Sequence, residues 1–307
     1  MTGYLSAKAA PYVGRFAPSP TGPLHFGSLI AAVASFLDAK CQGGKWLVRI
    51  EDVDRTRCKP EWALNILRTL ESLGFEWDGE IVTQSTHIDH YDAALGHLQS
   101  RQLLYACICS RKEIGDSAVR GIEGPVYPGT CRNQHRAAQG AALRVITNND
   151  PVEFEDRAQG RLSQRIESEI GDFILRRRDG LHAYQLAVVV DDALKAVTHV
   201  VRGADLLDST ARQIYLQRLL GYPTPAYLHF PVAVNEQGQK LSKQTLASGV
   251  NAQSARNALL AALRFLGQDS SEASRAFTNR ELILAAALNW KPDRIPERRA
   301  ILAQEPV

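Results

Sequence analysis

Two short runs carry residue types suited to a nucleotide: His25-Phe26-Gly27-Ser28 and Lys240-Leu241-Ser242-Lys243. The first stands where a proline-rich loop gives way to an apolar helical pattern. Free backbone N–H groups and the positive end of the helix dipole attract anions there, Gly27 lets a nucleotide approach closely, and His25 can hydrogen-bond a phosphate oxygen. The two lysines, on a loop turned by Gly238, suit the negative charge that grows on a transferring phosphoryl group and its pyrophosphate leaving group. Taken singly, neither run decides the chemistry. A histidine at a helix start equally serves as a structural residue, and an exposed Lys-x-x-Lys is equally a solvated loop.

A third group is Cys107-Ile108-Cys109 with Tyr127-Pro128-Gly129-Thr130-Cys131, three thiols and a phenol within one irregular stretch. Soft ligands of this kind suit zinc. Spacing alone leaves a closed zinc site and unliganded cysteines equally open, because Cys-x-Cys is tighter than the usual Cys-x-x-Cys knuckle. Cys41 and Cys58 stand apart, and an odd number of thinly spread cysteines argues against a disulfide framework, which fits a reducing, cytoplasmic setting.

The elements that must position these groups follow from the pattern of apolar residues. Tyr12 to Phe16 predicts a strand running into Ala17-Pro18-Ser19-Pro20-Thr21-Gly22-Pro23, whose prolines forbid regular structure. Leu29, Ile30, Val33, Phe36 and Leu37 recur at helical spacing, and Lys45 to Glu51 reads as the next strand. This strand, loop, helix and strand place the loop at the carboxyl end of a parallel sheet, where open α/β sheets bind ligands. Pro60 opens a helix that Gly74 is placed to close, a further helix covers His87 to Arg101, and Leu103 to Cys109 reads as a strand. Ser110-Arg111-Lys112-Glu113 has the capping-box pattern, and the glycine-rich stretch to Gly140 reads as an insertion. Regular structure resumes with Leu143 to Ile146, Asp172 to Arg176, Tyr184 to Val190 and His199 to Arg202, so the sheet is expected to continue around the insertion. Two helices, Ser254 to Leu266 and Thr278 to Trp290, are expected near the end.

The chain has 307 residues, 45% hydrophobic and 22% charged, which excludes disordered and fibrous classes. No apolar stretch is long enough to span a bilayer, and no membrane partner is expected. The net charge of +3 is too small to name a partner. The runs Arg132 to Arg136 and Arg176-Arg177-Arg178 are the local candidates for a phosphate-contacting face, with a solvated surface as the alternative.

The two nucleotide-type runs lie in the order that class I aminoacyl-tRNA synthetases use. Pro20 to Ser28 resembles that class's HIGH motif, and Lys240 to Gln244 its KMSKS motif, with Gln244 where a basic residue often ends it. Arg15 to Gly22, Arg49 to Arg57, Asp179 to Asp192 and Val201 to Leu206 are similar to the glutamyl-tRNA synthetase family, with Gln185 where Asn or His is usual. The resemblance runs from about Arg15 to Lys243, most of the chain. It implies an α/β, Rossmann-type catalytic domain with a zinc-binding insertion and a short helical C-terminal region. The corresponding divisions are 12–106 and 141–235 for the two halves of the catalytic domain, 107–140 for the insertion, and 236–307 for the lysine loop and helices.

The resemblance also implies site residues. Arg15, Phe16, Ala17, Pro18, Ser19, Glu51, Tyr184 and Arg202 correspond to glutamate-binding positions, with arginines for carboxylates, Glu51 for the ammonium and Tyr184 as a hydrogen-bonding wall. A structural ion pair is the other reading for Glu51 and Arg202. His25, Gly27, Ser28 and Lys243 correspond to ATP-binding positions, and His25, Lys240 and Lys243 to the catalytic ones, with Mg²⁺ arriving on the ATP. Cys107, Cys109, Tyr127 and Cys131 look like the structural zinc ligands of the glutamyl-queuosine tRNA(Asp) synthetases, a truncated branch of the family. About sixty residues follow the lysine loop, too few for large anticodon-reading domains. The expected acceptor is therefore queuosine at the wobble position of tRNA(Asp), gripped by its anticodon arm, and the expected state is a monomer. Rival readings are a stand-alone glutamyl-adenylate-forming enzyme, a 3′-end glutamyl-tRNA synthetase acting with a partner, a generic nucleotidyltransferase, and a non-catalytic zinc-dependent RNA-binding module.

Overall fold

The fold was obtained as a computed structural model that describes residues 11–117, 119–122, 124–240 and 254–303. Strand β1 (Val13–Phe16), helix α1 (Phe26–Cys41) and strand β2 (Lys45–Ile50) open the chain, and β1 pairs with β2 in parallel. Helix α2 (Pro60–Ser72) starts on Pro60 and ends just before Gly74, whose φ of +84° turns the chain where the Arg280 backbone packs close. Strand β3 (Val82–Thr83) adds to the far side of β2. Next come helix α3 (Ile88–Ser100), strand β4 (Leu104–Cys107), helix α4 (Arg111–Ser117) and the small hairpin of β5 (Arg120–Gly121) and β6 (Gly124–Pro125). Ser110 and Glu113 form the reciprocal backbone hydrogen bonds that start α4.

The middle of the chain supplies β7 (Ala142–Val145), β8 (Pro151–Asp156), β9 (Gly160–Arg165), the single-turn α5 (Ile166–Glu169) and β10 (Ile174–Arg176). Helix α6 (Tyr184–Leu194), strand β11 (His199–Gly203), helix α7 (Leu207–Leu220) and strands β12 (Ala226–Phe230) and β13 (Val232–Val234) follow. The described chain closes with α8 (Ala255–Phe265), α9 (Asn279–Leu288) and β14 (Ala300–Leu302), which pairs with β13.

Strands β11 and β12 are parallel, and β12 also meets β8. The Thr198 N–H donates to the Val13 carbonyl at 2.9 Å, and the Val13 N–H donates to Thr198 Oγ1 at 2.8 Å, so β11 abuts β1. The layer therefore runs β3, β2, β1, β11, β12. The chain moves outward from β1 in one direction and from β11 in the other, and the crevice between them is the switch point at which such sheets bind ligands. Helix α1 lies across this layer with α8 and α9 on its other side. That explains why Leu29, Ile30, Val33, Phe36 and Leu37 are all buried together with Ala258, Leu259, Leu282 and Ile283.

Three elements differ from the expected pattern. Tyr184 to Leu194 is a helix and not a continuation of the sheet: a short apolar run fits a buried helix as well as a strand, and Leu186, Val189 and Val190 share a core with Tyr91 and Ile214 from α3 and α7. Strands β4, β7 and β10 form a separate antiparallel sheet beside the cysteines, so the Leu143 and Asp172 segments do not extend the parallel layer. The β8–β9 hairpin is not among the expected elements, although Val152-Glu153-Phe154-Glu155 alternates apolar and charged residues as a half-buried strand does. Among the described residues, no helix is long and apolar enough to cross a membrane.

Candidate active site

A cavity of about 550 Å³ opens at the carboxyl ends of β1 and β11. Arg15 and Phe16 reach it from the end of β1, and Ala17, Pro18 and Ser19 from the loop that follows. His25, Gly27 and Ser28 face it from the start of α1, Glu51 from the end of β2, Tyr184 from the first turn of α6, and Arg202 from β11. Lys240 lines the same cavity, so the helix start and the beginning of the lysine loop face one space. Lys243 lies outside the described residues.

At the inner wall, charges pair across strands. Arg49 donates to Asp192 at 2.5 Å and to Glu51 at 3.0 Å, while Arg15 Nε reaches Asp192 at 3.3 Å. Burial opposes the charge on Asp192, but Arg15 and Arg49 outweigh it and hold the carboxyl below the usual range. Glu51 is different: burial pushes its carboxyl above the usual range, and the nearby Arg49 and Arg15 only partly offset this. Behind them Asp191, fully buried, accepts from Gln84, Tyr91 and the His87 ring at 2.7 to 2.9 Å. Arg49, Asp191 and Asp192 were not singled out from the sequence. The signal was there: an arginine within Trp46-Leu47-Val48-Arg49-Ile50, a buried parallel strand, requires a buried partner.

On the opposite wall Arg202 is 4% exposed. Its Nε donates to His229 Nε2 at 2.9 Å, and its terminal nitrogens donate to Gln213 Oε1 and Thr210 Oγ1, each at 2.8 Å. Among the described residues, no carboxylate stands within ion-pair distance of Arg202. Among those residues Arg202 is thus held by neutral partners, whereas Glu51 pairs with Arg49.

At the mouth, the His25 ring caps α1: Nδ1 accepts from the Ser28 N–H at 3.2 Å, and Nε2 lies 3.0 Å from Ser28 Oγ. No acidic residue occupies the first turn of α1, so the positive helix end faces the cavity without a built-in counter-charge. Lys240 Nζ meets Asp205 Oδ2 at 2.5 Å, also on the cavity wall.

The sulfurs of Cys107, Cys109 and Cys131 lie within 4.8 Å of one another, with 3.5 Å between Cys109 and Cys131. The Tyr127 hydroxyl is 3.3 Å from the Cys107 sulfur and 3.7 Å from that of Cys109, and it accepts from the Cys131 N–H at 3.0 Å. Ligands around a tetrahedral zinc at roughly 2.3 Å stand about 3.8 Å apart, so the donor set fits such an ion. Burial pushes the Cys109 thiol up to about 11. Burial also opposes ionisation of Cys131, but the Ile108 amide and the Tyr127 hydroxyl bring that thiol down to about 7. Gly171 (φ +81°) lets the Tyr127 backbone pass closely, since a Cβ there would meet the Tyr127 carbonyl oxygen at 2.4 Å.

The basic runs divide. Arg132 is tied to Asp172 at 2.5 Å and to Glu167 at 2.9 Å, so it serves the interior of this subregion and not a phosphate-contacting face. Arg177 and Arg178 remain on the surface, with Arg177 beside Asp54 and Asp179, and Arg178 against the carbonyls of Ile108 and Gly140.

Residues 12–298 match the family of class I tRNA synthetases (E and Q), catalytic domain. The chain belongs to this family. Within it, this synthetase is 54% identical to the glutamyl-Q tRNA(Asp) synthetase of Dechloromonas aromatica (strain RCB), over 95% of its own length and 98% of the relative's. It is 51% identical to the protein of that name from Aromatoleum aromaticum, over 97% and 94% of the two chains. Among solved structures, it resembles the glutamate tRNA ligase from Elizabethkingia meningosepticum, crystallised with its amino acid. The TM-score is 0.78 at 21% identity, covering 96% of this chain and 68% of that one, a likeness of fold. The synthetase is thus a ligase on the class I catalytic fold.

Proposed function

We propose that this chain activates L-glutamate with ATP as glutamyl-adenylate and transfers the glutamate to queuosine at the wobble position of tRNA(Asp). The observation that carries the reading is one cavity collecting Arg15, Glu51 and Arg202 beside the His25 helix start. A substrate with two carboxylates, one ammonium and a triphosphate partner calls for this set. The relatives' shared name supports the acceptor.

In the first step a glutamate carboxylate oxygen attacks the α-phosphorus of ATP, the bond to pyrophosphate breaks, and the acyl-adenylate remains. Arg202 and Arg15 take carboxylates, Glu51 takes the ammonium, and Tyr184 closes the side wall. His25, Gly27, Ser28 and the α1 amides hold phosphates, Lys240 and Lys243 stabilise the leaving pyrophosphate, and Mg²⁺ comes with the ATP. Catalysis is positioning plus charge stabilisation, without a covalent enzyme intermediate. In the second step a hydroxyl of the queuosine cyclopentenediol attacks the acyl carbon, and AMP leaves.

Cys107, Cys109, Tyr127 and Cys131 hold one structural zinc that clamps the 107–140 insertion. The 12–106 and 141–235 segments build the catalytic layer, and 236–307 carries the lysine loop and the terminal helices. Arg178, exposed and bonded to the neutral carbonyls of Ile108 and Gly140, offers charge for the anticodon arm's phosphates, with Arg177 beside it paired to Asp54 and Asp179. The test is incubation with ATP, labelled glutamate and queuosine-containing tRNA(Asp), followed by locating the label. Label on the anticodon loop is expected; label on the 3′ end would overturn the acceptor while leaving the activation step.

A further inference from the structure

We infer that Asp156 and His229 are positioning residues for amino-acid binding: they form a buried chain, Asp156 to His229 to Arg202, that fixes His229 Nε2 as an acceptor and so aims the Arg202 guanidinium into the cavity. The inference rests on the reading of Arg202 as a glutamate contact.

The three residues come from adjacent strands β8, β12 and β11, and Arg202 and His229 are opposite one another in the parallel register. All three are nearly inaccessible, at 2%, 0% and 4% exposed for Asp156, His229 and Arg202. His229 Nδ1 lies 2.6 Å from Asp156 Oδ2, and its Nε2 receives the Arg202 Nε–H at 2.9 Å. A guanidinium has no acceptor, so Nε2 must be unprotonated, and the single ring proton must sit on Nδ1 facing the carboxylate. The Tyr227 ring stacks on the imidazole at 6.0 Å between centroids, which holds its plane. Burial brings the His229 ring down to about 4, with Asp156 acting against that shift, so the ring stays neutral at working pH. Arg202 thereby has its Nε held by a neutral acceptor. Its other bonds also run to neutral oxygens, on Gln213, Thr210 and Leu206. The anion of the chain stays one ring away, so no protein carboxylate among the described residues directly offsets the Arg202 charge, whereas Arg15 is paired with Asp192.

Asp156 gives an unusually clean test. Its Oδ1 accepts the backbone N–H groups of Ala158, Gln159 and His229 at 3.0, 2.9 and 3.1 Å. In Asp156→Asn those three donors require the oxygen to stay at that position, which turns the new NH₂ toward His229 Nδ1. The ring proton must then move to Nε2, where a donor faces the Arg202 Nε–H, in a near-isosteric protein.

The experiment is glutamate-dependent ATP–pyrophosphate exchange by wild type, Asp156→Asn, His229→Leu and His229→Gln, with KM for glutamate and for ATP measured separately. Asp156→Asn and His229→Leu are expected to raise the glutamate KM by about tenfold or more, the scale of a lost bond to a charged group, with the ATP KM little changed. His229→Gln is expected to recover most of the affinity, because its Oε1 reaches the position of Nε2 without a proton. Nitrogen-15 NMR of labelled histidine reports the tautomer change in Asp156→Asn directly. A glutamate KM within about twofold of wild type in Asp156→Asn, or equal damage to both KM values in every variant, would overturn the relay. Wild type without glutamate-dependent exchange would instead overturn the reading on which it rests. If Asp156→Asn does not fold, the contrast between His229→Gln and His229→Leu decides the question alone.

Discussion

Glu51 sits in surroundings that work against its own charge, and this has a measurable consequence. Burial raises its carboxyl above the ordinary range despite Arg49 and Arg15. A carboxyl raised in the folded state favours folding below its unfolded pKa, and that contribution is lost as pH climbs through the folded value, so ionised Glu51 lowers stability at neutral pH. An incoming ammonium adds counter-charge to that of Arg49 and Arg15. Glu51→Gln is therefore expected to raise the glutamate KM by about tenfold while leaving the thermal midpoint unchanged or slightly higher, read by exchange kinetics and calorimetry. In wild type, glutamate binding should weaken as pH falls at a pH above that of an ordinary glutamate side chain, and Glu51→Gln should lack that limb. A clear fall in the midpoint with unchanged KM would make Glu51 a structural partner of Arg49. At this scale the sequence was informative wherever chemistry sat in one contiguous motif, since Arg15, His25, Glu51, Tyr184 and Arg202 all reach one cavity. It was silent on Asp156 and His229. Seventy-three positions separate that pair, and a bond made across strands leaves no local pattern.

Elements decide whether the cysteines can act together. Cys107 ends β4, whereas Tyr127 and Cys131 come from the irregular stretch after β6, and they meet because Tyr127 bridges to Gly171. Arg144 from β7 stacks its guanidinium 3.8 Å from the Tyr127 ring centre and holds the ring in place, while burial pushes the Tyr127 phenol above its usual range. Gly171→Ala must strain a backbone at φ +81° and push Tyr127 away. The expected cost is about 2 kcal/mol, the scale of a single strained residue, seen in the denaturant midpoint, together with zinc content well below the near-unit stoichiometry expected for wild type. Normal zinc content in Gly171→Ala would separate Tyr127 from the ligand set. Removing zinc by a chelator should expose the 107–140 segment to proteolysis before the rest of the chain. The helix α6 shows what was not legible here. Val188-Val189-Val190 reads as strand by residue type, and only packing against α3 and α7 makes it helix.

Across the whole molecule, one buried carboxylate ties the terminal region to the catalytic layer. Asp38, fully buried in α1, accepts from Arg157 at 2.6 and 2.9 Å, from Tyr12 at 2.5 Å and from Trp290 at 2.9 Å. Those partners lie before β1, just after β8 and just after α9, so the contacts span the chain. Burial opposes the Asp38 charge, but Arg157 and the Tyr12 and Trp290 donors outweigh it and hold its carboxyl below the usual range. A depressed carboxyl contributes stability above its unfolded pKa, and that contribution is lost as pH falls through the folded value. Asp38→Ala leaves Arg157 without its carboxylate and Tyr12 and Trp290 without acceptors, and is expected to cost about 3–5 kcal/mol. Because α8 and α9 share their core with α1, the loss should appear as one cooperative shift of the denaturant midpoint, with terminal and catalytic regions unfolding together. The difference between Asp38→Ala and wild type should shrink under acid as Asp38 itself becomes protonated in wild type. An early separate transition of the terminal helices in the variant, with the catalytic layer unmoved, would show that the apolar contacts along α1 do not couple the two.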